Sequence, residues 1–289
     1  MPPKPVTTNE YPYTWEQAVD LLREDPKYQD LIRDSYLTTD RLQNCRRFFE
    51  SDEFKEVLAI IRTYAPEARR VLDIPAGNGI ATYALAKSGF EVVAVEPDPS
   101  DSVGRGAIEH VIEQSELSDV NLVDAYGEEL PFADGEFDIA YVRQGLHHAQ
   151  ELTRFISEIT RVLKTNGLLI ASREPVVDDY DKGLQEFLDA QPDHQLYGGE
   201  NALTHKDYLS HLQASGLSLI SDFGPHDSII NLHPKSFNEL RADLLNSPSG
   251  RILNVVLPED LVYRCTLWIA KYRHREQGRL HTFIARKTR

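Results

Sequence analysis

With 289 residues, a formal net charge of −15 and only two cysteines, the chain excludes several classes at once. It is long enough to bury a large core and too acidic to grip a long phosphate backbone, which takes Lys and Arg. Cys45 and Cys265 stand too far apart for a disulfide framework or a zinc motif and read as buried thiols. No run approaches the ~20 apolar residues of a membrane span. The opening M-P-P-K-P-V-T-T-N-E lacks the basic start and apolar core of a secretion signal, so a cytoplasmic protein is expected.

The first 68 residues predict a helical segment. Thr14 is placed to cap W-E-Q-A-V-D-L-L-R, Leu42, Cys45 and Phe49 recur at helical spacing, and Phe54, Val57, Leu58 and Ile61 continue behind a Ser51 cap. From Arg70 the period changes. Val71–Ile74, Val92–Val95, Val120–Val123, Ile139–Val142 and Leu168–Ala171 are continuous apolar runs, the pattern of strands covered on both faces. Leu152, Phe155, Ile156, Ile159, Val162 and Leu163 form one helical stripe, with Asn166-Gly167 expected to close it. This alternation predicts an α/β, doubly wound, mostly parallel sheet with its ligand beyond the carboxyl ends of the strands.

Past Arg173 the regularity loosens. Thr204 and Asp207 predict a helix start, Gly216 its end, Leu217–Phe223 a strand with extended chain on to Leu232, 236–277 mostly helix, and Arg279–Lys287 a last strand. The expected organisation is a helical segment over 1–68 and one domain over 69–289. Insertions at about 175–203 and 233–277 are expected to cover the pocket. The last 19 residues hold seven Lys or Arg against one Glu; they read as a solvated edge strand guarded by charge or as an anion-binding patch.

The chemistry concentrates after the first strand. In V-L-D-I-P-A-G-N-G, Gly77 and Gly79 admit close backbone approach, and the helix behind them offers free N–H groups. Thr82 stands where a dinucleotide fingerprint has its third glycine. A carboxylate at Asp73 would repel a pyrophosphate and suits a ligand bearing an ammonium group. Glu96, ending the second strand, is placed to accept from a ribose diol.

V-L-D-I-P-A-G-N-G, V-A-V-E-P, G-E-E-L-P-F, F-D-I-A-Y-V-R-Q-G-L-H-H and E-I-T-R-V-L-K-T-N-G, in this order, resemble the motifs of class I S-adenosylmethionine-dependent methyltransferases, in the group related to ubiquinone and small-molecule methyltransferases. The resemblance runs from about Arg70 to Glu174 and implies a Rossmann-like, seven-stranded sheet with an antiparallel last strand. It implies that Asp73, Ala76, Gly77 and Gly79 surround the methionine part of the cofactor, that Glu96 with Pro97 holds the ribose, and that backbone groups near Gly127 and Glu128 meet the adenine. Two residues depart from the family pattern: Pro75 replaces a common first glycine, and Tyr126 a common Asp.

The end of the fourth strand then faces the reactive methyl, which makes Arg143, Gln144, His147 and His148 candidates. His147 or His148 is a candidate base. Arg143 holds the cofactor carboxylate or an anionic substrate, or pairs with an acid; Gln144 is a cofactor or main-chain contact. Glu174, after the fifth strand, is a candidate catalytic or substrate group. The acidic loop Asp178–Asp181 reads as a solvated lid or a cation site. His194, Tyr197 and Glu200, in H-Q-L-Y-G-G-E-N-A, are expected at the acceptor pocket. No metal site is expected, since the two histidines lack a third ligand at recognisable spacing. The reading is methyl transfer from S-adenosylmethionine to a hydroxyl or amine of a small molecule. Behind it stand a non-catalytic cofactor-binding subunit, a nucleic-acid methyltransferase and a nicotinamide dehydrogenase.

Overall fold

Thr14 opens the first helix with a closed capping box: its hydroxyl accepts from the Gln17 amide and the Gln17 side chain accepts from the Thr14 amide. The computed structural model describes residues 11–273 and 276–288. The beginning of the 1–68 segment and residues 274, 275 and 289 of the basic tail lie outside the described residues.

Four helices come first, α1 (Trp15–Glu24), α2 (Gln29–Asp34), α3 (Arg41–Glu50) and α4 (Asp52–Tyr64), the last capped by Ser51 as its sequence predicts. The α/β alternation follows: β1 (Arg70–Asp73), α5 (Ile80–Lys87), β2 (Glu91–Val95), α6 (Arg105–Ser115), β3 (Val120–Val123), β4 (Phe137–Arg143), α7 (Leu152–Val162) and β5 (Leu163–Val177). Next come α8 (Lys182–Asp189), α9 (Pro192–Tyr197), β6 (Leu203–Thr204), α10 (His205–Ala214) and β7 (Leu217–Phe223). The chain ends with α11 (Phe237–Asn246), α12 (Pro248–Leu253), α13 (Glu259–Arg273) and β8 (Arg279–Lys287).

The strands run β3-β2-β1-β4-β5-β8-β7, and the two-residue β6 adds an eighth strand beside β5. β1 to β5 are parallel, while β8 is antiparallel to both β5 and β7. This is the expected Rossmann-like sheet with its antiparallel last strand. Because β2 and β4 flank β1, the order reverses there and leaves a crevice at the carboxyl ends of β1 and β4.

Alternation along the strands sorts the core onto two faces. Leu72, Val93, Ala140 and Leu169 pack with Phe155, Ile156 and Ile159 of α7 on one side. Val71, Val92, Ile139 and Ile170 pack with Phe48, Phe54 and Val57 on the other, so α3 and α4 share a core with the sheet.

Several expectations are corrected. α7 ends at Val162, and Asn166-Gly167 falls inside β5, where the register to β4 shifts and Asn166 takes φ +66°. A Cβ at Gly167 would lie 2.8 Å from the Lys164 carbonyl oxygen, so glycine permits that tight path. Ile229–Asn231 form a 3-10 turn instead of extended chain, because the Ser228 hydroxyl accepts from the Ile230 amide and Asn231 Nδ2 donates to the carbonyls of Phe223 and Gly224. β8 is no edge strand: it lies between β5 and β7, with Thr282 to Ala285 buried. Its charge sits at its ends, where Arg286 donates to the carbonyls of Asn166 and Tyr64, and Lys287 to that of Leu163. Cys45 is buried as read, but Cys265 is only partly so. No helix among the described residues is long and apolar enough to cross a membrane.

Candidate active site

Asp73 ends β1 at 1% exposure, and its Oδ2 accepts from the Thr82 hydroxyl at 2.6 Å. Its Oδ1 is equally sealed from solvent and has no hydrogen-bond partner among the described residues. Burial raises the Asp73 carboxyl to about 7, against the pull of Thr82 and Arg143. An acceptor held without a donor is costly unless something supplies one.

The turn that follows begins at Pro75, joined to Ile74 by a cis peptide. Gly77 has φ +54°, and a Cβ built on it would meet nothing within 4 Å, so this part of the turn faces open space. Gly79 differs: with φ +84° it precedes α5, and a Cβ there would stand 3.1 Å from Ile108 of α6. The absence of a side chain at Gly79 therefore lets α5 pack against α6. Ala76 is buried and donates its amide to the Val95 carbonyl.

Glu96, 5% exposed, accepts from the Gly77 amide at 2.7 Å and the Asp98 amide at 3.0 Å, with the partly buried Pro97 between them in sequence. Burial again raises this carboxyl to about 7. The two buried acids sit on the neighbouring strand ends β1 and β2.

A second polar group forms where β4 and β5 end. Glu174 is fully buried; its Oε1 accepts from the amides of Gly145 and Leu146 at 2.8 and 3.0 Å, and its Oε2 meets His147 Nδ1 at 2.8 Å. Both oxygens of Glu174 are thus engaged by the chain after β4, which it fixes in place. His147 Nε2 points to Glu200 Oε2 at 3.5 Å. Burial opposes its charge, but Glu174 and Glu200 outweigh this and push the imidazole up to about 10. His148, whose side chain is 39% exposed, bonds through Nδ1 to the Gly199 carbonyl at 2.9 Å and turns Nε2 towards Glu200 Oε1 at 3.9 Å.

The adjacent histidines thus converge on one carboxylate. One donor atom from each of His147, His148 and Glu200 lies within 4.8 Å of the other two. The third group that sequence spacing did not provide is Glu200, 52 residues beyond His148 and carried by the chain after α9.

Of the other acceptor-pocket candidates, Tyr197 packs its ring 5.8 Å from Trp15, and Glu96, Asp98 and Glu200 all lie within electrostatic reach of its hydroxyl, which burial keeps neutral. His194 Nε2 meets the Tyr11 hydroxyl at 3.2 Å, while its buried Nδ1 has no hydrogen-bond partner among the described residues. α9 therefore lies between the amino-terminal helix and both polar groups.

The other candidates have these surroundings. The Arg143 guanidinium pairs with buried Glu53 of α4 at 2.7 and 3.2 Å and donates to Gln144 Oε1, which decides the alternatives left open for it in favour of an acid partner. Gln144 has φ +51° and donates its amide to the Ser172 carbonyl. Glu128 accepts from the amides of Gln150 and Glu151, so its carboxylate serves the entry to α7. Gly127 packs on Phe155, where a Cβ would come within 1.6 Å of the ring. Tyr126 is 62% exposed. In the acidic loop, Asp178 pairs with Arg279 and Asp179 accepts from the Gly183 amide. Sequence reasoning gave Glu53 no role at the site and weighed Thr82 only as the place of an absent glycine, although a hydroxyl in the first turn after the glycines is a local signal.

Comparison with known proteins decides what kind of crevice this is. The sequence model of the family described as "Methyltransferase domain" matches residues 72–171, a span that includes Asp73, both turn glycines, Glu96 and the two histidines. Residues 72–171 are a class I S-adenosylmethionine-dependent methyltransferase domain. An uncharacterised methyltransferase of Synechocystis is 35% identical over 102 residues, covering 35% of this chain and 44% of that protein. The demethylmenaquinone methyltransferase of Clavibacter sepedonicus is 35% identical over 115 residues, covering 39% and 44%. The chain thus spans less than half the length of these curated relatives.

Among solved structures, a Haemonchus contortus phosphoethanolamine N-methyltransferase aligns with TM-score 0.54 at 15% identity, over 96% of this chain and 61% of that one. The [4+2]-cyclase SpnF aligns with TM-score 0.53 at 18% identity, over 80% of each. These distant likenesses establish the methyltransferase fold, and a cyclase among them shows that the fold alone does not fix the chemistry.

The domain's cofactor fits the residues present. The unpartnered Asp73 Oδ1 suits an ammonium donor, the open space at Gly77 admits a ligand against the backbone, and Glu96 retains lone pairs for hydroxyls.

Proposed function

We propose that the protein transfers a methyl group from S-adenosylmethionine to a hydroxyl or amine of a small molecule. The observation that carries the reading is the buried, unpartnered Asp73 oxygen beside an open glycine turn and a buried Glu96. When bound, the cofactor supplies an electrophilic methyl on a sulfonium centre. Asp73 accepts from its ammonium group, and Glu96, fixed by the amides of Gly77 and Asp98, accepts from its ribose hydroxyls.

At the other end of the crevice, His147, His148 and Glu200 receive the acceptor. His148 is the member open to an incoming molecule, while Glu174 fixes the chain that carries both histidines. Catalysis is mainly positioning of the acceptor atom in line with the methyl. The segments at 175–203 and 233–277 cover this chamber, and Tyr197 closes over the Glu96 side of it. A small acceptor agrees with the net charge of −15 and with the quinone precursor named for the Clavibacter relative.

The test has two stages. S-adenosylhomocysteine is expected to raise the melting temperature, whereas nicotinamide dinucleotides leave it unchanged; the reverse pattern defeats the donor assignment. Turnover of S-adenosylmethionine is then screened against hydroxylated and amino metabolites. Tight binding with no turnover across a broad panel favours a binding subunit.

A further inference from the structure

His147, His148 and Glu200 have the construction of a metal centre as well as of a proton-handling cluster. A ligating histidine needs its outward ring nitrogen held by an acceptor, so that the inward one presents a lone pair. Both histidines have such an outer partner, and at His147 an ion would displace the proton that Glu174 and Glu200 favour on the ring. His147 Nδ1 is held by the Glu174 carboxylate at 2.8 Å, and His148 Nδ1 by the Gly199 carbonyl at 2.9 Å. A carbonyl oxygen only accepts, so His148 Nδ1 carries the proton and its Nε2 is a free base.

The inward nitrogens face the same carboxylate, at 3.5 Å for His147 and 3.9 Å for His148. Ion-to-donor bonds of about 2.0–2.2 Å place tetrahedral donors roughly 3.3–3.6 Å apart; the two edges to Glu200 are within a few tenths of an ångström of that, and all three donors lie within 4.8 Å of one another. Charge points the same way: Glu174 and Glu200 are two buried or mostly buried carboxylates around two imidazoles.

We infer that His147, His148 and Glu200 bind one divalent transition-metal ion, and that the acceptor is a molecule offering a hydroxyl beside a second oxygen, which together take the ion's remaining positions. Two imidazoles and one carboxylate suit zinc, iron or manganese better than the all-oxygen preference of magnesium. The open flank lies on the solvent side of His148, whose side chain is 39% exposed.

The ion lowers the hydroxyl pKa so that its proton leaves to water. The oxygen then forms its bond to the methyl carbon as the carbon–sulfur bond breaks, with that electron pair remaining on sulfur. The balance is one hydroxyl and one sulfonium in, one ether, one thioether and one proton out. The acceptor class rests on the methyl-transfer reading, whereas the ion site stands on the side-chain geometry alone.

The experiment uses the full chain stripped with EDTA and titrated with zinc chloride in a calorimeter, with magnesium chloride in parallel and bound metal counted by mass spectrometry. One zinc per chain is expected, with His148→Ala and Glu200→Gln each weakening it at least about tenfold. Glu174→Gln, a positioning change, weakens it about 10–100-fold. A second cluster, His205, Asp222 and His281, also brings three donor atoms within 4.8 Å, so His205→Ala is the control and leaves zinc affinity unchanged.

The proposal is overturned by an absence of zinc binding, by binding that survives both His148→Ala and Glu200→Gln, or by binding lost in His205→Ala. S-adenosylhomocysteine thermal shifts on every variant show that each is folded. If the unaltered chain binds zinc but not S-adenosylhomocysteine, the donor reading fails, and the acceptor class with it. For the acceptor class, the zinc-loaded chain is expected to bind 2,3-dihydroxybenzoate at least about tenfold more tightly than 3-hydroxybenzoate; equal affinities overturn that half.

Discussion

A carboxylate sealed at the end of a strand takes up a proton unless something cationic or hydrogen-bond-donating meets it, and Asp73 and Glu96 are both in that position. Their folded values of about 7 lie above the ordinary ~4 of such groups, because burial disfavours the charged form. The sign follows by linkage. Between about pH 4 and 7 the ligand-free folded chain holds protons that the unfolded chain has released, so this contribution to stability is present at low pH and is lost as pH rises through 7. Cofactor binding runs the other way, since an ammonium and a ribose diol need the ionised carboxylates. The affinity for S-adenosylhomocysteine is therefore expected to rise from pH 6 to pH 8 and then level, by about tenfold for each carboxylate that must ionise. Calorimetric titrations across this range provide the check, and a dissociation constant flat from pH 6 to 8 rejects the assignment. Asp73→Asn should weaken binding at pH 8 and remove its share of the slope. These two acids were legible in the sequence because each ends a continuous apolar run. Their burial was not, since it depends on Thr82 and on the packing of α5 and α6.

At the scale of elements, α4 is fastened to the sheet by a buried charge cluster. Glu53 is fully buried, pairs with Arg143 of β4 at 2.7 Å and lies 3.9 Å from Arg173 of β5. Burial alone would raise the Glu53 carboxyl, but the two arginines outweigh it and hold it below its ordinary value. Arg173 Nη1 and Nη2 also donate to the carbonyls of Ile230 and His233, while its buried Nε has no hydrogen-bond partner among the described residues. Removing the one acid leaves two guanidinium groups without a counter-charge, and breaking a buried pair in this way costs about 3–5 kcal/mol. Glu53→Gln is expected to lower the unfolding free energy by that amount in urea titrations; a loss under about 1 kcal/mol would mean that packing alone holds α4. Sequence periodicity found α4 and its Ser51 cap, because both signals are local. It gave Glu53 no partner, because Arg143 is 90 positions away and only the fold joins them. The same contrast separates Leu217–Phe223 and Arg279–Lys287, whose bounds match β7 and β8, from the place of β8 inside the sheet, which depends on which strands it pairs with.

Over the whole molecule, one segment ties three distant parts together. His194 and Tyr197 of α9 meet Tyr11 and Trp15, the Tyr197 hydroxyl lies within electrostatic reach of Glu96 and Asp98, and Gly199 and Glu200 hold His148 and His147. Glycines make this docking possible: a Cβ at Gly198, where φ is +79°, would come within 2.0 Å of the Tyr11 ring, and one at Gly199 within 2.3 Å of the Tyr197 ring. A ligand at Glu96 therefore acts on a surface that also carries α1, so cofactor binding and the docking of α9 on α1 are thermodynamically coupled. Trp15 reports on this coupling, since the chain has two tryptophans and the other, Trp268, is 67% exposed on α13. In a Trp268→Phe variant, saturating S-adenosylhomocysteine is expected to change Trp15 emission and to slow hydrogen exchange in both α1 and 192–200. Trp15→Ala should weaken the ligand a few-fold by loosening the wall that carries Tyr197. Unchanged emission together with unchanged exchange at saturation would separate α9 from the cofactor side and leave it a wall of the acceptor end alone.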